Sequence, residues 1–103
     1  MSDALRRLDT GAGPPPLQAR AARYVADVPA GGDAADTLAS AGALALARAV
    51  DHPGDRSIAL DLLASDALVT LALEAQADAN PAGLAAFAER LRAVAFPDAT
   101  TRP

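Results

Sequence analysis

Residues 55–79 read DRSIALDLLASDALVTLALEAQADA, and this segment is the strongest indicator of the fold. It contains neither proline nor glycine, and it is rich in alanine and leucine, which are strong helix formers. Large apolar side chains occur on almost every side of the helix that it would form. Such a helix has to be covered by neighbouring helices or by a partner. We therefore predict a central helix over residues 55–79.

Proline and glycine divide the rest of the chain into further helical segments. Pro14 to Pro16 suit the first turn of a helix, and Asn80 followed by Pro81 marks another helix start. Asp33 is a good N-cap residue. Short connections favour antiparallel neighbours, so the predicted fold is all-α, a compact bundle or an orthogonal array of four main helices. These helices are predicted to cover residues 14–28, 33–50, 55–79 and 81–95.

The composition changes nowhere abruptly enough to indicate two folded domains. Residues 14–97 are therefore predicted to form a single helical domain. Ser2 could cap two turns of helix, but glycines and three prolines follow at once, so residues 1–13 are predicted to be a flexible N-terminal arm. Residues 98–103 are predicted to be a disordered tail.

Alanine dominates the composition, with 29 of 103 residues, whereas aromatic residues are few. This favours closely packed helices over a sheet with a bulky face. Gly42 lies on a face of small residues in the helix predicted over 33–50, where it costs about 1 kcal/mol relative to alanine. A close crossing with another helix would compensate for that cost.

The charge pattern argues against several partners. The net charge is −4, and all nine basic residues are arginines without lysine. They are scattered and form no basic stripe, so we predict no nucleic-acid binding and no association with an acidic membrane surface. The lack of lysine and the excess of alanine suggest a bacterial gene of high GC content. Asp61 and Asp66 interrupt the longest apolar stretch, and no signal peptide is recognisable, so a cytoplasmic location is expected.

Catalytic chemistry finds little support in the sequence. The absence of cysteine excludes disulfides, thiolate metal sites and cysteine nucleophiles. The single histidine, His52, precedes Pro53 in a predicted turn and is poorly placed as a catalytic base. We therefore expect no cofactor and no metal site, and a non-catalytic protein is favoured.

One polar column on the long helix is the candidate ligand-binding site. Asp66, Thr70 and Glu74 are spaced by four residues and stack along one edge of the helix predicted over 55–79. They could line a groove for a cation or a polar ligand. The simpler interpretation is that they form the solvent-facing edge, and exposure of Asp66 would weaken the ligand-binding hypothesis. Asp61 with Ser65 is interpreted in the same way, as a second solvent-facing edge.

The helix predicted over residues 14–28 carries three charged side chains that are expected to point away from its apolar face. They are Arg20, Arg23 and Asp27. Arg23 and Asp27 are one turn apart and could form an ion pair worth about 0.3 kcal/mol.

Two functions from different classes follow from these patterns. The first is a small non-catalytic helical protein that acts through protein–protein association, as a homodimer or as an accessory or regulatory subunit of another protein. It is motivated by apolar residues that a domain of this size cannot fully bury. The alternative is a small-molecule-binding or enzymatic module with a polar pocket at Asp66, Thr70 and Glu74.

Overall fold

The computed structural model describes residues 2–29, 31–52, 54 and 56–95, and within these ranges the chain is helical without any strand. The all-α prediction is confirmed, but there are five α-helices rather than four. No helix in this part of the chain is long and apolar enough to cross a membrane. The helices are α1 (Asp3–Gly11), α2 (Pro15–Asp27), α3 (Ala34–Asp51), α4 (Ile58–Ala79) and α5 (Leu84–Ala95).

Helix α1 is the addition, and it occupies most of the segment predicted as a flexible arm over residues 1–13. The Ser2 hydroxyl caps it by accepting a hydrogen bond from the Leu5 N–H at 3.2 Å. Ala4 and Leu8, one turn apart, are buried together with Ala12 in the core that the other helices share. The packing of this apolar edge holds the helix against α2, α3 and α4. The predicted tail over residues 98–103 lies outside the described residues.

The helix boundaries follow local capping chemistry. The Asp33 carboxylate caps α3 as predicted, accepting a hydrogen bond from the Asp36 N–H at 2.8 Å. Helix α4 begins at Ile58 and not at residue 55, and Ser57 occupies its N-cap position. Residue 55, where the predicted helix begins, lies outside the described residues. The helix predicted over 81–95 starts with a 3-10 turn, Pro81–Gly83, which leads directly into α5.

Helix α4 is central to the fold, as the opening segment predicts, and it shares this position with α3, because each of the two contacts all the other α-helices. It is not covered on all sides, however. Leu62 and Leu63 keep 46% and 54% of their surface exposed. Within the single chain, the buried face of α4 consists of Asp61, Ala64, Ser65, Leu68, Leu71, Ala72 and Ala75.

The close crossing predicted at Gly42 is present between α3 and α4. A Cβ atom at this position would lie only 3.0 Å from Cγ2 of Val69 and 3.4 Å from Cβ of Leu68. The Ser65 hydroxyl donates a hydrogen bond of 2.9 Å to the Gly42 carbonyl. The absence of a side chain at Gly42 therefore sets both the distance and the rotation of α4 relative to α3.

Helix α5 is the least buried of the long helices. Phe87 is its one fully buried side chain, and Leu91 packs against the core only in part. Ala88 and Val94, on the same helix, are exposed. Ala88, Leu91 and Ala95 of α5 border a surface groove instead of a closed core.

Candidate functional site

The most unusual residue of the structure is a buried carboxylate, that of Asp61 in the first turn of α4. Only 3% of Asp61 is exposed to solvent. Its Oδ1 atom accepts hydrogen bonds from Nη1 of Arg20 at 2.6 Å and from the hydroxyl of Tyr24 at 2.8 Å. The interpretation of Asp61 as part of a solvent-facing edge is therefore wrong, and so is the expectation that Arg20 points away from the core.

These contacts account for the burial of a charge. A carboxylate taken out of water needs a counter-charge and hydrogen-bond donors, and Asp61 has both. Arg20 and Tyr24 are one turn apart on α2, so both reach the same oxygen. Ser65, predicted to share the solvent-facing edge, is also buried, and its hydroxyl bonds to the carbonyl of Gly42.

The environment keeps the Tyr24 hydroxyl in its neutral form. Burial raises the pKa of Tyr24 above its ordinary value, and the hydrogen bond to the Asp61 carboxylate raises it further. The nearby Arg48 guanidinium acts in the opposite direction and lowers this pKa, but it is the weaker influence. Tyr24 therefore acts as a hydrogen-bond donor toward the Asp61 carboxylate.

A cleft of about 340 Å³ opens beside these three residues, between α2, α3 and the start of α4. We call it the basic cleft. Three arginines and two aspartates give it one excess positive charge, in a chain whose net charge is −4. The predicted ion pair between Arg23 and Asp27 is not formed within 4.0 Å among the described residues. The cleft is lined by Arg20, Arg23, Tyr24, Asp27, Arg48, His52, Ser57 and Asp61.

A second concave surface, of about 400 Å³, lies on another side of α4. We call it the apolar groove, since most of its lining side chains are aliphatic. Its two charged members are Asp66 of α4 and Arg92 of α5. The complete lining is Gly42, Leu46, Leu62, Ser65, Asp66, Val69, Leu73, Ala88, Leu91, Arg92 and Ala95.

The three residues predicted as a ligand site lie one turn apart along α4. Asp66, Thr70 and Glu74 are all exposed. Asp66 lines the apolar groove, whereas Thr70 and Glu74 line neither that groove nor the basic cleft. The exposure of Asp66 weakens the hypothesis of a polar pocket at these positions, and ligand binding there stays a prediction.

The described residues contain no group of three or more His, Asp or Glu side chains that could hold a metal ion. Comparison of the chain with protein-family models, with curated proteins and with solved structures gives no match. The proposals below therefore depend on the geometry of the two concave surfaces.

Sequence reasoning missed Asp61, although two signals pointed to it. Asp61 stands in an apolar run next to Leu62 and Leu63, and the apolar face of α2 carries a tyrosine hydroxyl that needs a partner when it is buried. An arginine one turn before that tyrosine supplies the counter-charge for a carboxylate. Together, Arg20 and Tyr24 form a donor pair that calls for an acidic partner on a neighbouring helix.

Proposed function

We propose that the protein functions through association with a second copy of itself, as a non-catalytic homodimer. The apolar groove carries this proposal. It combines side chains from α3, α4 and α5, and one of them, Leu62, is almost half exposed. A contiguous apolar surface of this kind is more often a protein–protein interaction site than an ordinary polar surface is.

The apolar character of this face extends along α5. Leu91 is only partly covered, and Val94, on the same helix, is largely exposed. A stable dimer interface buries roughly 800 Å² on each partner around an apolar centre. The groove supplies such a centre, and the charged residues beside it supply the polar rim.

The charges in the groove favour a second copy as the occupant. Asp66 and Arg92 line the same groove and carry opposite charges. In a twofold dimer every contact occurs twice: if one residue of the first copy touches another residue of the partner, the same two residues also meet with the copies exchanged. Asp66 of each copy can therefore pair with Arg92 of the other. Arg92 also forms an exposed ion pair with Glu89 at 3.0 Å, and such a pair is worth only about 0.2–1 kcal/mol, so it can be exchanged for the intermolecular one.

The direct test is the solution mass, measured by sedimentation equilibrium. We expect the wild-type chain at tens of micromolar to have about twice the monomer mass of 10.3 kDa. Leu62→Arg places a charge in the groove and should give a monomer. Leu63→Arg is the matched control, because Leu63 is the adjacent residue and is similarly exposed but does not line the groove. It should remain dimeric.

A charge exchange tests the pairing within the dimer. Asp66→Arg places two arginines opposite each other and should weaken the dimer about tenfold or more, since like charges at an interface are strongly unfavourable. Adding Arg92→Asp to the same chain restores opposite charges and should restore dimerisation. Circular dichroism serves as the control that each variant keeps its helices. A monomeric wild type, or equal effects of Leu62→Arg and Leu63→Arg, would contradict the proposal.

A further inference from the structure

We propose that the basic cleft is a binding site for a small phosphate-bearing anion, held by Arg23 and Arg48 above the floor that Arg20, Tyr24 and Asp61 form. This site is distinct from the apolar groove and does not depend on dimerisation. The cleft draws its side chains from α2, α3 and the beginning of α4.

The floor of the cleft is rigid. Asp61 is 3% exposed and accepts hydrogen bonds from two donors on α2. Arg20 is held by that carboxylate while 23% of its side chain still reaches solvent. A fixed and partly accessible guanidinium loses little conformational freedom when it also binds a ligand.

The walls of the cleft carry two arginines that no described carboxylate neutralises. Neither Arg23 nor Arg48 forms an ion pair with any described residue. Both are exposed, and the Arg48 guanidinium is close enough to Tyr24 to act on its hydroxyl. His52, one turn after Arg48, points a ring nitrogen to the Arg48 carbonyl at 3.1 Å, which orients the ring at the edge of the cleft. Because a carbonyl only accepts, Nδ1 carries the hydrogen in this contact.

The charge and size of the cleft indicate the class of ligand. Its excess positive charge selects an anion, and planar guanidinium groups match the oxygen geometry of phosphate with paired hydrogen bonds. A volume of about 340 Å³ lies in the range of small-molecule sites. An extended nucleic acid would instead meet the negative charge of the chain as a whole.

Inorganic phosphate is the probe for this site. Two-dimensional NMR of the full chain, titrated at constant ionic strength, should show saturable shifts confined to the backbone amides around Tyr24, Arg48 and Asp61. Acetate, added in the same way, should bind at least about tenfold more weakly, because it offers a single charge and two oxygens. Equal binding of acetate would overturn the assignment to phosphate.

Arginine variants then locate the contacts. Arg48→Gln and Arg23→Gln should each weaken phosphate binding about tenfold or more, the effect of losing a charge-assisted hydrogen bond. Arg90→Gln is the matched control, because Arg90 is an exposed arginine that lies over the Phe87 ring on α5, away from the cleft lining. It should leave the affinity unchanged.

The two cleft arginines are exposed, so their replacement should leave thermal unfolding nearly unaltered, and a loss of binding would not reflect a loss of folding. Absence of saturation up to tens of millimolar phosphate would overturn the proposal. Equal weakening by Arg90→Gln and by Arg48→Gln would overturn it as well, since binding would then reflect net charge alone. The Leu62→Arg variant, which is expected to be monomeric, should bind phosphate as the wild type does. Phosphate binding and dimerisation are therefore tested independently.

Discussion

The most informative perturbation of the fold is Arg20→Met, which removes the counter-charge of a buried carboxylate without removing much apolar surface. Breaking a buried ion pair by deleting one partner costs about 3–5 kcal/mol. Arg20 retains 23% exposure, and the Asp61 carboxylate keeps its hydrogen bond to Tyr24, so we expect the free energy of unfolding to fall by about 2–3 kcal/mol, below that range. With a denaturant slope of about 1 kcal/mol per molar, the urea midpoint should drop by about 2–3 M.

Urea unfolding followed by circular dichroism measures this loss. Arg23→Met is the control, because Arg23 lies on the same helix but is exposed and unpaired among the described residues, and it should change stability by less than about 0.5 kcal/mol. Replacing the whole cluster, by Arg20→Met with Asp61→Leu and Tyr24→Phe, should recover most of the loss, since it leaves no buried charge unpaired. Equal losses for Arg20→Met and Arg23→Met would refute this account of the cluster.

Two further predictions concern Tyr24 and the helix crossing. Tyr24 is the single tyrosine of a chain without lysine, so phenolate absorbance reports it alone. Burial holds the pKa of Tyr24 above 10.0, so stability should be unaffected below pH 10 and should fall as the pH rises beyond it. A phenolate midpoint at or below that of the urea-unfolded chain would contradict this prediction. Gly42→Ala should lower the free energy of unfolding by about 1 kcal/mol in urea titrations, because the new methyl group overpacks against Val69 although alanine favours helix by a similar amount. In a Val69→Ala background the same change should stabilise the protein. Stabilisation in the wild-type background would show that the crossing is loose.

The helical architecture could be predicted from the sequence because its signals are local. Proline and glycine positions separate α2 to α5, and the N-cap at Asp33 and the close crossing at Gly42 follow from single residues. Helix α1 was missed for a related reason. The glycines and prolines that follow it are local signals of a flexible arm, whereas the burial of Leu8 depends on distant helices.

The candidate site could not be predicted in the same way. Asp61 and its partner Arg20 are separated by 41 residues, and their contact depends on how α4 is rotated. Asp61 and Asp66 lie only five residues apart, yet one is buried against α2 and the other is exposed in the apolar groove. The small residues at the crossing of α3 and α4 set that rotation. Hydrophobic periodicity does not reveal it, because leucines occur on nearly all sides of α4.

Sedimentation equilibrium decides whether the apolar groove pairs two copies of the chain. The wild-type protein should sediment at tens of micromolar with about twice the monomer mass of 10.3 kDa, and Leu62→Arg should reduce that mass to the monomer value while Leu63→Arg does not. A wild-type protein that sediments as a clean monomer at this concentration would contradict the claim.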